Sequence, residues 1–269
     1  MKKIVLISCL SLFTLYSFAQ DSTVKQSKKA PKKEVDRQRI NTMMKQEEEG
    51  VLVFSKQTVV GIELRTNGYG AFLELGRMKT PRWTNIYSLE LTEIKNPKEE
   101  KLSPINGISN SYVYAKQNNF YQAKLGYGRQ YIFGQKGNKN GVAVIGILEG
   151  GFSLGLLKPY YLEVSKNRGR SPVQSIKFTD DDTAFLGFNT AILGASGFTK
   201  GWGELKFKPG LLVKTALRFD FGRYNESIQA IEIGLSVDAY SEKIPIMALG
   251  DNKQFFYQGH VAFVFGKRK

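Results

Sequence analysis

Gln254-Phe-Phe-Tyr-Gln-Gly-His-Val-Ala-Phe-Val-Phe-Gly266, followed only by Lys267, Arg268 and Lys269, is the stretch whose reading decides the fold. Phe255, Tyr257, Val261, Phe263 and Phe265 fall on one face at the two-residue period of a strand, with Gln258, His260 and Ala262 on the other. An alternating segment that ends in aromatics beside the C-terminus is what closes an outer-membrane β-barrel. It names a solvent, with lipid outside the sheet and polar groups inside. It names no task.

Reading back from that strand, the same pattern recurs. Ile231, Ile233, Leu235 and Val237 oppose Glu232, Gly234, Ser236 and Asp238. Leu211, Val213, Leu217, Phe219 and Phe221 oppose Lys214, Arg218 and Asp220. Val142, Val144, Leu148, Phe152, Leu154 and Leu156 oppose Ala143, Glu149, Gly151, Ser153 and Gly155. Tyr121, Ala123, Leu125 and Tyr127 oppose Gln122, Lys124, Gly126 and Gly128. Trp83, Tyr87, Leu89 and Leu91 stand against Ser88, Glu90 and Thr92. Ala71, Leu73 and Leu75 stand against Phe72, Glu74 and Gly76, and Val60, Ile62 and Leu64 against Gly61, Glu63 and Arg65. Asn67-Gly68 between the first two runs is a strong hairpin signal. The sequence thus predicts an all-β chain, an eight-stranded antiparallel transmembrane β-barrel.

The face opposite the aliphatic one carries the acids Glu63, Glu74, Glu90, Glu149, Asp220, Glu232 and Asp238 and the bases Arg65, Lys124, Lys214 and Arg218. A barrel of this size is only wide enough for side chains to fill it. These charges are therefore expected to pair into a lumen network, because an unpaired buried charge costs several kcal/mol. Glycines on the same face make room for the long side chains.

Connection lengths suggest an orientation. Turns near Thr80, Gly137 and Tyr224 are short and expected on the periplasmic side, with both ends of the chain. The connections 97–118, 165–204 and 243–253 are longer and expected outside, with Asn67-Gly68 the one short outer turn. Trp83, Tyr87, Tyr121, Tyr127, Tyr160, Tyr161, Phe255 and Tyr257 are candidates for the aromatic girdles at the two membrane surfaces.

The N-terminus points to export. Met1-Lys2-Lys3 and the apolar run Ile4 to Phe18 form a signal peptide, residues 1–19, with cleavage expected near Ala19 in Ser17-Phe18-Ala19-Gln20. Leu6-Ile7-Ser8-Cys9 imitates a lipoprotein box, but Cys9 lies too early in the apolar run. Cys9 is the only cysteine, so no disulfide framework is expected. Residues 20–56 form a charged periplasmic tail, partly disordered or helical. Lys25, Lys28, Lys29, Lys32 and Lys33 surround Pro31, and Val35, Ile40, Met43 and Met44 lie loosely on one side of a possible docking helix. The barrel proper is expected over 57–267. No apolar run long enough for a spanning helix follows the signal. The formal net charge of +15 suits contact with lipid phosphates or acidic glycans. The expected partners are outer-membrane lipid and lipopolysaccharide and other outer-membrane or periplasmic proteins, with no nucleic acid.

Several motifs add to this pattern. Ser17-Phe18-Ala19-Gln20, Arg65-Thr66-Asn67-Gly68-Tyr69-Gly70, Lys200-Gly201-Trp202-Gly203-Glu204, Phe219-Asp220-Phe221-Gly222-Arg223 and Phe265-Gly266-Lys267-Arg268 together resemble a group of small, uncharacterised outer-membrane β-barrel proteins of Bacteroidota type. The resemblance covers nearly all of 57–269. It implies an outer-membrane location and brings no catalytic residue with it. Some small barrels of such bacteria serve as accessory subunits of larger outer-membrane machines.

Few residues of the chain point to chemistry. His260 is the only histidine, and with Ser236 and Asp238 on the neighbouring strand it makes a hydrolase triad conceivable. A filled core is a poor place for a lipid hydrolase, and an interior structural histidine is the plainer reading. Asp180-Asp181-Asp182 is either a hard-oxygen Ca²⁺ site or an acidic loop tip. No zinc spacing, nucleophile elbow around Ser196 or phosphate loop over Gly134 to Gly141 is present, so no cofactor and no metal are implied. Phe185, Phe188, Ile192, Leu193, Phe198 and Trp202 make the long connection 165–204 oddly apolar for an outer loop. It either caps the barrel mouth or contacts a partner. The expectation is a non-enzymatic outer-membrane barrel, a structural or accessory subunit of an outer-membrane assembly or secretion machine. A barrel for transport or binding of small molecules or lipid, and a lipid-modifying enzyme, are the alternatives.

Overall fold

Alternation of aliphatic and polar residues carries the chain across the barrel wall eight times, and short pieces of strand decorate the connections. The computed structural model describes Glu34, Arg37, Gln38, Asn41, Leu52 and Phe54, and residues 55–269 apart from 104–109, 139, 167–170 and 189. The expected signal peptide and most of the expected tail lie outside the described residues. Glu34, Arg37, Gln38 and Asn41 are helical. The chain divides into two units, Met1–Thr42 and Met43–Lys269, and the strands of the described residues all belong to the second.

These strands are β1 (Lys56–Arg65), β2 (Gly68–Thr80), β3 (Trp83–Ile94), β4 (Lys101–Leu102), β5 (Tyr112–Val113), β6 (Asn118–Gly134), β7 (Ala143–Pro159), β8 (Tyr161–Ser165), β9 (Val173–Lys177), β10 (Thr190–Ala195), β11 (Lys206–Asp220), β12 (Ser227–Ile244) and β13 (Lys253–Arg268). The long ones close into an antiparallel ring in the order β1, β13, β12, β11, β7, β6, β3, β2. Apart from the closing seam, every neighbour in the ring is a neighbour in the sequence of long strands. The seam pairs β1 with β13, from Gln57 opposite Arg268 to Arg65 opposite His260. The amides of Ser55 and Lys56 both donate to the Lys269 carbonyl, at 2.7 and 2.9 Å. The fold is an eight-stranded transmembrane β-barrel.

Register fixes which face sees which solvent, because a slip of one residue would turn every side chain over. Outside, Val60, Ile62, Leu64, Leu125, Leu148, Phe152, Val213, Leu235 and Phe263 are all exposed, with Phe152 at 73%. A continuous apolar belt around a barrel belongs against hydrocarbon. No helix of the described residues is long and apolar enough to cross a membrane, and the crossing is made by strands.

The inward face is layered, where the sequence predicted one polar face from end to end. The end at which β1 begins and β13 ends, here the near end, is filled by Val59, Phe72, Ile228, Ala230, Ala262 and Val264. Leu52 plugs the same end against Ile132, Ala143 and Ile145. The far end is filled by Ile94, Val113, Phe120, Leu157, Tyr240, Ile244, Ile246, Met247 and Phe256. Phe120 sits 5.4 Å from both the Tyr240 and Phe256 rings. The charges occupy the middle.

Three long connections and the short β1–β2 turn leave the far end. The 245–252 loop turns back into the mouth: Ile246 accepts from the Gln117 and Asn118 amides, Ala248 donates to Ala115, and Ile246 and Met247 are buried with the far-end layer. The connection 160–205 builds a separate sheet in the order β10, β8, β9, with a one-turn helix at Asp182–Phe185. Its core is Leu162, Val164, Ile176, Ala184 and Phe185. The third connection, 95–117, pairs β4 with β5. Tyr160 and Tyr161 belong to the far-end sheet, and the girdle expected of them is corrected: Tyr160 packs on that sheet's core and Tyr161 bonds Glu204 at 2.5 Å.

Candidate functional site

The middle of the lumen is the densest chemistry in the molecule. Glu63, Arg65, Glu74, Glu90, Lys124, Glu149, Lys214, Arg218, Asp220, Glu232 and Asp238 all point inward and are buried. They come from β1, β2, β3, β6, β7, β11 and β12, so the network ties nearly the whole circumference together. Alternation places each one inward, and glycine gives them room. A Cβ at Gly126 would stand 1.7 Å from Oε1 of Glu149, and one at Gly234 would stand 2.5 Å from the His260 ring.

Two guanidinium groups organise the layer. Arg218 donates from Nε to Glu232 at 2.9 Å and through its terminal nitrogens to both oxygens of Glu74 at 3.1 and 2.7 Å. Lys214 lies 3.0 Å from the other Glu232 oxygen. Nearer the far end, Arg65 donates to Glu63 at 2.6 Å and also bonds Glu90 and Gln258. Lys124 bridges Asp238 at 2.9 Å and Glu90 at 3.1 Å. Planar guanidinium forks suit such sites, since they satisfy several carboxylate oxygens from one cation. The side-chain amides of Gln57 and Gln130 donate to Glu74 and those of Gln122 and Gln258 to Asp238, while Glu63 Oε2 and Asp238 Oδ1 have no hydrogen-bond partner.

Sequence reading left more acid than base in this layer. Arg268 and Lys136 supply two further bases, both bonded to Asp220 near the near end, with Lys136 at 3.4 Å. Arg268 was missed because β13 runs two residues beyond Gly266, where the sequence pattern ends. Lys136 was missed because it stands in a turn and reaches in from outside the strand pattern. Its amine sits low in pKa because of burial, offset by Asp220.

His260 is buried, and its Nε2 faces Glu232 at 3.3 Å. Asp238 is held instead by Lys124 and Gln258, at 2.9 and 3.0 Å. Ser236 Oγ has no hydrogen-bond partner. The three residues do not line up as nucleophile, base and acid, and the histidine's carboxylate is already shared with Arg218 and Lys214.

The far-end sheet divides the residues expected to contact a partner. Phe185 is fully buried in the sheet's own core and Ile192 packs against it, which corrects their reading as contact residues. An apolar residue in an outer loop is as readily used by the loop's own core. Leu193 is half-buried. Phe188, Phe198 and Trp202 are exposed. Phe198 and Trp202 close over Lys158, whose amine donates to the Phe198 carbonyl and lies 4.2 and 4.8 Å from the two rings. Tyr121 stacks on Trp202 from the barrel wall.

The acidic run has local duties. Asp181 caps the one-turn helix, accepting from the Ala184 amide at 2.9 Å and the Thr183 hydroxyl at 2.8 Å, which holds its carboxyl below the ordinary range. Asp180 pairs with Lys177 at 3.7 Å. The Lys177 amine and Tyr161 hydroxyl lower the Glu204 carboxyl in the same way. Among the described residues, no group of three or more His, Cys, Asp or Glu is placed to hold a metal ion.

Fold and site together define a membrane-spanning barrel with a lumen closed by ion pairs and an ordered sheet at its far end. No protein-family model matches the chain and no curated protein matches it. Among solved structures it is similar to Ail, the attachment invasion locus protein of Yersinia pestis, at 10% identity and a TM-score of 0.37, over 81% of this chain and 100% of that one. Neisserial surface protein A is similar at 11% identity and 0.37, over 80% and 97%. The N-terminal β-barrel domain of Pseudomonas aeruginosa OprF is similar at 9% identity and 0.36, over 80% and 99%. All three names belong to small barrels, and nothing about this chain's task follows from them.

Proposed function

We propose that this chain is a non-enzymatic outer-membrane protein whose barrel is a closed anchor and whose far-end sheet and N-terminal segment meet other components. The observation that carries it is the lumen. Side chains from six strands meet there in ion pairs with exposures of 0 to 5%. Apolar layers sit on both sides, Leu52 at one end and Ile246 with Met247 at the other. Such a barrel holds a position and offers no water path. With cleavage near Ala19, the near end, where β1 begins and β13 ends, faces the periplasm and the long connections face outward, as the loop lengths suggest. The Bacteroidota-type resemblance of the hairpin and closing motifs belongs to the same reading. A structural or accessory subunit of an outer-membrane assembly or secretion machine is the role this geometry suits best.

A second reading, binding of small apolar molecules, draws on a cleft of about 180 Å³ at the far end, lined by Thr66, Asn67, Lys95, Ile244, Ile246 and Phe256. Conductance of the purified full chain in planar bilayers separates the readings. A closed anchor gives a flat baseline; steady channels would overturn it. Loss of any lipid-modifying activity on His260→Ala would restore the enzymatic alternative.

A further inference from the structure

The lumen pairs its arginines, but two arginines on the outer wall are left unpaired. Arg77 on β2 and Arg129 on β6 point away from the lumen and are exposed, in a mostly apolar belt. They stand in one row across the wall: Arg77 opposite Asn85 of β3, Asn85 opposite Arg129, and Arg129 opposite Leu148 of β7. Among the described residues neither guanidinium has a hydrogen bond or an ion pair. The Trp83–Tyr131 ring pair, 4.7 Å apart, flanks Arg129 on the near-end side, and the Tyr87–Tyr127 pair, 5.1 Å apart, on the other. Arg129 therefore sits one register step inside the near-end aromatic girdle.

Beside it the wall is hollow. Gly146 and Gly150 face outward on β7 with Leu148 between them; the Phe133 ring covers Gly146, where an added Cβ would stand 2.3 Å from it, so the hollow is at Gly150. A groove of about 840 Å³ runs there, lined by Tyr127, Tyr131, Phe133, Leu148, Val213 and Leu217. That volume lies within the ~300–1,000 Å³ of ordinary ligand sites. Its floor is open at Gly150, where an added Cβ would meet only the Leu212 carbonyl oxygen, at 3.7 Å.

We propose that this wall binds one anionic phospholipid of the near-end leaflet, its phosphate on Arg129 and Arg77 and one acyl chain in the groove at Gly150. An arginine this close to the interface keeps its stem in the apolar zone and turns its fork toward the headgroups. A guanidinium fork takes a phosphate by two parallel hydrogen bonds. A lipid phosphate is the anion already present at that depth, and two unpaired cations in one row favour a lipid with net negative charge over a zwitterionic one. The groove beside them lets one chain lie against the wall where a larger side chain would hold it off. The proposal rests on the outer-membrane placement of the barrel.

Native mass spectrometry of the full chain in detergent tests it, with palmitoyl-oleoyl phosphatidylglycerol and palmitoyl-oleoyl phosphatidylcholine supplied at equal concentration. Phosphatidylglycerol should be retained about tenfold over phosphatidylcholine, the size of one charge-assisted hydrogen bond. Arg129→Gln should abolish that preference and Arg129→Lys should keep part of it. Gly150→Leu should lower retention of both lipids by filling the groove; Gly150→Ala does so more weakly and serves if the leucine variant does not fold. Glycerol phosphate, a headgroup without chains, should not compete. Equal retention of the two lipids, an unchanged preference in Arg129→Gln, or competition by glycerol phosphate would each overturn the proposal. So would a shift from dimer to monomer in Arg129→Gln with lipid retention unchanged, which would make the wall a protein interface. A chain soluble without detergent would instead overturn the membrane placement itself.

Discussion

The barrel and the sheet at its far end are built from one chain on opposite rules. In the barrel, Arg218 and Glu232 are buried while Leu235 is 64% exposed. In the sheet, Phe185 and Leu162 are buried while Lys166 and Asp181 pair at its surface, 3.4 Å apart. Both regions alternate along their strands, so alternation alone does not say which face is the core. The solvent decides. Lipid takes the aliphatic face of the barrel and forces its charges together, while water takes the charged face of the sheet and leaves its aromatics to each other.

The sharpest way to test this contrast is to remove one cation from each region. Arg218→Ala leaves Glu74 and Glu232 without their main partner in a closed lumen and should cost about 3–5 kcal/mol, read as the urea midpoint of the barrel refolded in vesicles. Lys166→Ala removes a solvated pair and should change the same midpoint by less than about 1 kcal/mol. Equal effects would mean that the lumen is wetter than its side-chain burial implies.

A smaller effect comes from adding a cation to matching exposed apolar positions. Leu235 and Val173 are exposed to similar extents, 64% and 58%. Leu235→Arg, in the middle of the lipid-facing wall, should cost about 2–4 kcal/mol. Val173→Arg, on the watery sheet, should fall within about 0.5 kcal/mol of the parent. Urea midpoints of the two variants measure the difference in solvent directly.

The smallest effect is in pH. The Asp181 and Glu204 carboxyls are held below their ordinary range in the folded sheet by hydrogen bonds, from the Ala184 amide and the Lys177 amine respectively. A lowered folded value means stability that is present above the unfolded pKa and lost as pH falls toward the folded one. Below the ordinary carboxylate range the sheet should loosen, seen as faster protease cleavage within 160–205 at acid pH and slower cleavage near neutrality. Asp181→Asn should show less of that dependence.

The same contrast explains how much was legible in the sequence. The long strands and their facing were legible because residues such as Ile62, Glu63 and Leu64 alternate sharply, and a charge opposite an aliphatic face has only one place to go. The lumen's end layers were not. Ile145, Ile147, Phe120 and Leu157 are apolar on the inward face beside apolar neighbours on the outward one, which erases the period-two signal. For the apolar connection 165–204 the sequence leaves a cap and a partner contact as alternatives, whereas the mouth is filled by Ile246 and Met247 from the 245–252 loop. Two apolar residues in a loop of that length carry no pattern; only the backbone bonds of Ile246 with Gln117 and Asn118 place them. Of the chemistry, the charged lumen followed from alternation, but the pairing of His260 with Glu232 and not Asp238 depends on stagger between strands, which no single strand encodes.

The seam between β1 and β13 also governs timing. The Ser55 hydroxyl donates to the Lys269 carbonyl across 214 positions of sequence, and no contact within the ring is more distant along the chain. Until the final strand is laid down, β1 and β12 are open edges whose unpaired amides and carbonyls each cost several kcal/mol in hydrocarbon. Closure over so long a separation is intrinsically slow, and the unfinished sheet is a template for any other edge it meets. The last strand is thus a latch as much as a wall: insertion becomes favourable in one step, when Val261 to Phe265 arrive opposite Val60 to Leu64.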